Sequence, residues 1–570
     1  MGSRIMIYRY LPAAVALVAL SACQETDTPT SALLEQRVVT ALGGLEIGES
    51  LSLSGEAAAE VVLGGSESAG DFILIPFHAS REQGAELAVG LGGTDLGTPG
   101  PSQRAPDPRG GWTVPESSLP GWEMHESMLA RFRTGAEAAR SKLPSGLGPQ
   151  ALANLVPSSD LRGGDLAVDQ LVELNTDTDG DFCADLDVRT GRVEAISSGA
   201  VVVADVDNPK DGFTRSDYEV FAERFDSLIE PTITGAFGEP TDIDDNGRVV
   251  VFFTRAVNEL TRPTDEGFVG GFFYSRDLFP DTPADPCPAS NQGELFYVLV
   301  PDPAAVASHI PHTRDGVFAG ALGTIGHEYQ HLINASRRIW VNQANSFEET
   351  WLDEGLSHIA EELLFYADAG LSRHSNVSLD DIFGSTQLLN AINQFGIQNL
   401  IRYGLYLEEV TNDSPTGAGD ALGTRGATWA FLRYLADHQP RSDPEFFHDL
   451  VNSQDAGFDN LASVVEGDPV DWLQQWGVSV YADDLVTAAA DSAFQQPSWD
   501  FRSLLPELFG DFPLFVRTLS GSGTLEFDVV SGTSGYVQFR SPANGAAQLS
   551  IDSGGETPPA KLRVTVVRTK

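Results

Sequence analysis

Short apolar runs broken by Gly and Ser mark residues 37–97: Val38-Val39, Leu51-Ser52-Leu53, Val61-Val62-Leu63 and Phe72-Ile73-Leu74-Ile75. Runs of that length between turn residues predict strands, and together they predict a small β-sandwich. Residues 98–165 are rich in Pro, Gly and Ser, the composition of a linker, with one stretch of helical composition at 124–142. Beyond 166, Val201-Val202-Val203 and Val249 to Phe253 are unbroken apolar runs, as in strands covered on both faces. Between them, Tyr218, Phe221, Phe225 and Ile229 recur at helical spacing over 217–229. Longer helices are predicted over 316–338, 347–368 and 423–438. Alternation returns in Leu525-Glu526-Phe527-Asp528-Val529, Tyr536-Val537-Gln538-Phe539 and Leu562 to Val567, which predicts a second β-sandwich over 505–570. The fold class is therefore α+β: a mixed domain over 166–500 flanked by two small all-β modules.

The start of the chain reads as an address. Arg4 and Arg9 precede an apolar stretch, Leu11 to Leu20, that is too short to span a bilayer. Leu20-Ser21-Ala22-Cys23 looks like a bacterial lipobox. That resemblance implies that residues 1–22 are removed and that the Cys23 thiol carries a diacylglycerol. The plainer alternative is a secretory signal with an incidental Cys. Gln24 follows, where Asp would resemble an inner-membrane retention signal, so the expectation is a lipid-anchored protein of the bacterial cell envelope, at the outer membrane, facing periplasm or surface. Residues 23–36 are polar and read as a tether. The other two cysteines are Cys183 and Cys287. An exported compartment permits a disulfide between them, against the alternative of two buried thiols.

The 570 residues allow three or four domains. Lys plus Arg is 35 and Asp plus Glu is 81, for a net charge of −46. Such a chain lacks the basic surface that nucleic acid requires and attracts divalent cations. Two Asp-rich loops follow from this: Asn175 to Asp181, carrying Asp177, Asp179 and Asp181, and Asp242 to Gly247. Both match the first six positions of a calcium loop. Leu186 and Phe253 stand where its closing Glu would be. Asp/Gly turns leading into strands are the alternative, and the first loop is the better calcium candidate.

The segment with the most chemistry is Gly326-His327-Glu328-Tyr329-Gln330-His331. On a helix, His327 and His331 are separated by little more than one full turn, so both rings project from one face and can share a tetrahedral zinc. Glu328 beside them can act on a water as general base. With 10 His in 570 residues, a chance match has a probability of roughly 0.01. The alternative, two surface histidines, must explain a helix otherwise lined by Phe318, Leu322, Ile325, Leu332 and Ile333. A catalytic zinc takes a third protein ligand. Glu354, in Trp351-Leu352-Asp353-Glu354-Gly355, follows His331 after a stretch that suits a turn at 342–346 and an antiparallel return helix. Glu361 and Glu362 read as further acids on that helix's polar face.

His-Glu-x-x-His followed by Trp-Leu-x-Glu-Gly resembles the gluzincin metallopeptidases, and His-Glu-Tyr-Gln-His-Leu-Ile-Asn is similar to the hyicolysin-like family among them. Stretches from Phe237 to Asp244, through Asn258, from Gly270 to Asp277 and from Arg425 to Tyr434 extend the likeness over 166–500. The resemblance implies zinc ligands His327, His331 and Glu354, Glu328 as general base, and a two-part domain, β-rich then helical, with the cleft between. Asn334 and Arg337 exclude the metzincin pattern. No methionine stands in the Gly-x-Met-Glu-Asn signature of related aminopeptidases, which leaves an endopeptidase acting on protein or peptide substrates. His358 stands where thermolysin-like enzymes carry the Asp that orients a ligating His; it is either an added cleft group or a solvated side chain. For the oxyanion, related enzymes use Tyr or His from the later helices. Tyr403, Tyr406, Tyr434 and His438 are candidates, with Tyr406 the first choice. Two rival functions share the same scaffold: an inactive surface-binding protein, and a calcium-dependent adhesin carried by the β modules.

Overall fold

The alternating segments at the two ends of the chain pair mostly with each other. In the computed structural model, the described residues are 44–570 apart from 64–68, 101–111, 113–121, 143–145, 147, 157–160, 162–165, 264–266, 285, 487–491 and 544–546. The expectations for the signal, Cys23, the tether and Val38-Val39 lie outside them. The first segment supplies strands β1 (Ser50–Ser54), β2 (Glu60–Leu63), β3 (Gly70–His78) and β4 (Glu86–Thr94). The central sheet takes β5 (Leu171–Asn175), β6 (Val188–Ile196), β7 (Ala200–Asp205), β8 (Val249–Phe253), β9 (Gly271–Phe273) and β10 (Leu295–Val298). The last segment supplies β11 (Arg517–Thr518), β12 (Thr524–Val530), β13 (Val537–Ser541), β14 (Ala547–Asp552) and β15 (Leu562–Arg568).

Two flanking modules were expected; one sandwich is found. Its sheets run β1-β15-β3-β13-β11 and β12-β4-β14-β2, so no two strands of the first segment are neighbours. Pairings such as Leu74↔Val537 and Leu91↔Leu525 join the two ends of the chain. Alternation shows which face of a strand is buried but not which strand lies beside it, and this is why pattern alone split the module in two. Phe72, Leu74, Val89, Leu91, Phe539 and Val564 fill its interior. The opposite face of β3, Ile73, Ile75 and Phe77, enters the main core, so both faces of this strand are buried. The sandwich is fixed to the helical part by Tyr536 Oη donating to the Gly477 carbonyl at 2.7 Å and by an Arg563–Asp471 ion pair.

The central sheet has the order β5-β6-β7-β8-β10-β9, with β7–β8 and β8–β10 parallel. One face meets helix α1 (Trp122–Arg140) through Met128 and Phe132, so the helix inside the expected linker is a cover for the sheet. The other face, with Val202, Val249, Val251 and Phe253, joins the main helical core. Cys183 and Cys287 form a disulfide that ties the loop after β5 to the loop before β10. The strands end at Val298, and helices follow to Phe509.

Two helices position the candidate site. Helix α2 (Arg314–Ser336) starts on Thr313, whose Oγ1 accepts from Gly316 N. It continues as a π turn, Arg337–Val341, before helix α3 (Thr350–Ala369). Contacts Asn334–Asp353, Gln330–Ser357 and His327–Glu361 run in opposite senses along the two, so the pair is antiparallel. Gly326 allows the close approach: a Cβ there would lie 2.2 Å from Leu364 Cδ1. Helix α5 (Leu422–His438) packs beside α3, and α4 (Ile397–Glu408) packs on α5 and reaches α3 through Asn399 Nδ2, which donates to the His358 carbonyl. Helices α4 and α5 cross at Gly426, where a Cβ would fall 2.2 Å from the Arg402 carbonyl carbon, and this contact brings Arg402 and Arg425 together. Among the described residues, no helix is long and apolar enough to cross a membrane.

Candidate metal centre and its cleft

The hairpin of α2 and α3 brings three ligating groups to one focus. His327 Nε2 lies 3.2 Å from His331 Nε2. Glu354 Oε2 is 3.5 Å from the first and Glu354 Oε1 is 3.5 Å from the second. All three side chains are buried. Donors about 2.0–2.2 Å from a tetrahedral zinc stand about 3.3–3.6 Å apart, so the spacing and the N,N,O donor set fit that ion.

The outer nitrogens explain why the inner ones face each other. His327 Nδ1 is 2.9 Å from Glu361 Oε1, and His331 Nδ1 is 3.2 Å from Asp353 Oδ2. A carboxylate can only accept, so each Nδ1 donates and each Nε2 keeps its lone pair towards the focus. Two lone pairs and a carboxylate held that close repel one another unless a cation lies among them. The electrostatics agree. Burial disfavours protonation of His327, yet hydrogen bonds to Glu354 and Glu361 outweigh it and push the imidazole up to about 10. His331 is likewise raised, by Asp353 and Glu354 against burial. Both imidazoles thus favour a positive charge at the focus.

The supporting carboxylates are where the sequence reading went furthest astray. Glu361, read as one more acid on the helix's polar face, is buried and bridges two rings, with Oε2 3.3 Å from His358 Nδ1. Burial opposes its charge, but contacts with His358 and His327 hold it well below the usual range. Glu362 is also buried, pairing with Arg433 and accepting from Trp499 Nε1. His358 is neither a cleft group nor solvated. It is fully buried against the His327 ring, and burial together with Arg402 pushes it down to about 3, so it is neutral. The available signal for Glu361 was its spacing from Glu354, close to two full turns of helix, which sets both acids on the same face.

His327, Glu328 and Glu361 line a cavity of about 120 Å³ with Arg402, Arg425 and Gly271 of β9. Glu328 follows a metal-type histidine on the helix and borders the same space. Arg425 is fixed by Asp420 and places Nη1 2.7 Å from Glu354 Oε2. Tyr406 is not in the lining. It stacks on Trp476 at 5.3 Å and on Tyr403 at 5.9 Å, within the core. Arg402, one turn earlier on α4, reaches the cavity instead. Tyr434 and His438 are engaged elsewhere, with the carbonyls of Ala493 and Ser492.

The first Asp-rich loop does not converge. Asp177 Oδ2 accepts from Gly180 N, Asp179 pairs with Arg131, and Asp181 Oδ1 accepts from Cys183 N. Arg276 Nη1 and Nη2 already donate to the loop carbonyls of Asp177 and Asn175. The second loop does converge: Asp242, Asp244 and Glu294 bring acid oxygens within 4.8 Å. Glu294 directly precedes β10, far along the chain from the loop, so no local motif could announce it.

No family model matches the chain. It is similar to the neutral metalloprotease ShpI of Staphylococcus hyicus, at 24% identity over 238 residues, which is 41% of this chain and 46% of that one. The chain thus spans under half the length of the curated relative it matches. Together with the His/Glu triad, this likeness supports a metal-dependent protease, with zinc the metal suggested.

Proposed function

We propose that the chain is a zinc endopeptidase of the gluzincin type, resembling the hyicolysin-like family, anchored by a lipid on Cys23 in the bacterial cell envelope and acting on protein or peptide substrates. The observation that carries this reading is the mutual approach of His327 Nε2, His331 Nε2 and the Glu354 carboxylate at 3.2–3.5 Å, with Glu328 in the adjoining cavity.

His327, His331 and Glu354 hold the metal. A zinc ion bound there supplies Lewis acidity, activating water near neutral pH and polarising a carbonyl. Glu328 takes the proton of the attacking water and returns it to the leaving amine, so the C–N bond breaks without expelling an amide anion. Glu361 and Asp353 keep the imidazoles in the ligating tautomer.

The test is hydrolysis of casein by the purified, zinc-loaded full chain beside Glu328→Gln. The parent cleaves, and the variant loses about 10²–10⁴-fold while retaining its zinc. Equal rates in both would sink the assignment of the base. For the anchor, Cys23→Ser is expected to move the protein from the membrane to the soluble fraction.

A further inference from the structure

Five arginines are buried among the described residues: Arg276, Arg338, Arg402, Arg425 and Arg433. A guanidinium away from water is costly unless a carboxylate meets it. Four of the five obey this rule. Arg276 has Asp277 at 3.2 Å, Arg338 has Glu348 at 3.0 Å, Arg433 has Asp443 at 2.7 Å, and Arg425 has Asp420 and Glu354. Arg402 is the exception. It is 6% exposed, and its hydrogen bonds go to neutral amide oxygens, Nη1 to Asn399 Oδ1 at 3.3 Å and Nη2 to Gln398 Oε1 at 2.8 Å. Its nearest carboxylate oxygen, Glu361 Oε2, is 3.9 Å away and already serves His358, while the other Glu361 oxygen serves His327. Nε has no partner among the described residues.

Arg402 is also in the cavity lining beside His327 and Glu328, with Gln398 and Gln394 about one and two turns before it and Arg425 close by. Burial and the repulsion of Arg425 disfavour its charge and outweigh the attraction of Glu361, Glu354 and Asp420. The lining also includes the apolar Val298, Leu299 and Val317. The carboxylate nearest this cation is already shared by two imidazoles, which leaves guanidinium donors for an anion that enters the cavity.

We propose that Arg402 is the carboxylate-recognising residue of this cleft and selects peptides that present an acid group next to the bond to be cut. The inference rests on the peptidase reading and supplies its substrate class. The carboxylate has two possible sources, an Asp or Glu side chain or the free C-terminus of the peptide. The chain's net charge of −46 does not forbid either, because repulsion between exposed charges is screened beyond about 8 Å at physiological ionic strength.

The test uses the zinc-loaded full chain carrying Glu328→Gln, so that binding is read without turnover. Short peptides are titrated calorimetrically, with one Glu scanned through the positions against Gln, each made with a free and an amidated C-terminus. One acid form is expected to bind at least about tenfold more tightly than its neutral match. The Glu/Gln arm identifies a side chain and the acid/amide arm identifies a C-terminus. Arg402→Gln in the same background erases the preference with zinc content unchanged, and Arg402→Lys restores part of it. Equal binding of acid and neutral peptides overturns the proposal, as does a preference that survives Arg402→Gln. The parental contrast needs no Arg402 variant, so a misfolded variant does not spare the idea. Cleavage of the same peptides by the chain with Glu328 intact tests the peptidase reading separately. A preference without cleavage sinks that reading alone, and cleavage without a preference sinks this one alone.

Discussion

Two clusters in this molecule, one fully buried and one with Asp242 exposed, each bring three ligating groups within 4.8 Å, and they resolve their crowding in different ways. At His327, His331 and Glu354, the imidazoles are supported from outside the focus, and Arg425 meets the Glu354 carboxylate. Glu361 and Asp353 grip the outer nitrogens and leave the inner lone pairs free. At Asp242, Asp244 and Glu294, local donors grip the carboxylates themselves. Glu294 accepts from Thr241 Oγ1 and Ile243 N, Asp244 from Asn246 N and Nδ2, and Asp242 from Asn246 N and Gly247 N. The first cluster favours an added positive charge at its imidazoles. The second stores protons: burial and the facing Glu294 push Asp244 up to about 9, and burial with the charge of Asp242 pushes Glu294 up to about 8. A metal centre is thus recognised by where its supporting hydrogen bonds lie, more than by how many acids meet.

The largest effect that separates the clusters is loss of the metal. Glu354→Ala removes one of three ligands and leaves two imidazole lone pairs 3.2 Å apart. Zinc content after dialysis should fall to background, and activity with it. Asp242→Asn in the other cluster should leave zinc at one per chain. Retention of zinc by the Glu354 variant would show that the triad is not the site.

Next come the supporting carboxylates. Glu361→Gln and Asp353→Asn each keep the shape of the side chain and remove its charge. Each should weaken zinc by about 10–100-fold in a competition titration. Glu361→Gln should cost more, because that carboxylate holds His358 as well as His327, while Asp353 is a third exposed and shares its other oxygen with Asn334. Equal affinities for both variants and the parent would mean that the ring orientation is set by packing alone.

What could be read in advance was what lies close in sequence. His327, Glu328 and His331 share one turn and a half of helix, and the return to Glu354 needs only a hairpin, so periodicity and spacing reach them. The strands at Val201–Val203 and Val249–Phe253 and the helices around 316–338, 347–368 and 423–438 were legible for the same reason. Partners far along the chain were not. Alternation at 51–53 and 562–567 marked strands but could not say that β1 and β15 are neighbours. Glu361 reads as a polar-face acid because acids are usually exposed. Yet α3 also buries Trp351, Leu356, Ile359, Leu364 and Phe365, apolar residues all round, and a helix enclosed on every side takes its acids inside with it. Tyr406 failed for a related reason: α4 turns several large side chains into the core, and only the fold decides that Arg402 is the one at the cavity.

The smallest effect tests the proton store. Folded Asp244 and Glu294 titrate near 9 and 8, against ordinary values near 4 in an unfolded chain. Between those limits the folded state binds more protons than the unfolded one, so this pair's contribution to stability falls as pH rises from about 4 to 9. Below pH 4 both states are protonated and the pair is neutral in its effect. Glu294→Gln keeps an oxygen to accept from Thr241 and Ile243 and places an N–H donor where the second oxygen stood, beside Asp244. It removes one of the two charges that burial penalises. At pH 5 the variant and the parent should melt together. At pH 9 the variant should be more stable by about 1–3 kcal/mol, a Tm rise of about 1 °C per kcal/mol for a chain of 570 residues. A variant that loses the same stability at both pH values would show that these carboxylates are held as fixed charges, and the contrast between the two clusters would then rest on geometry alone.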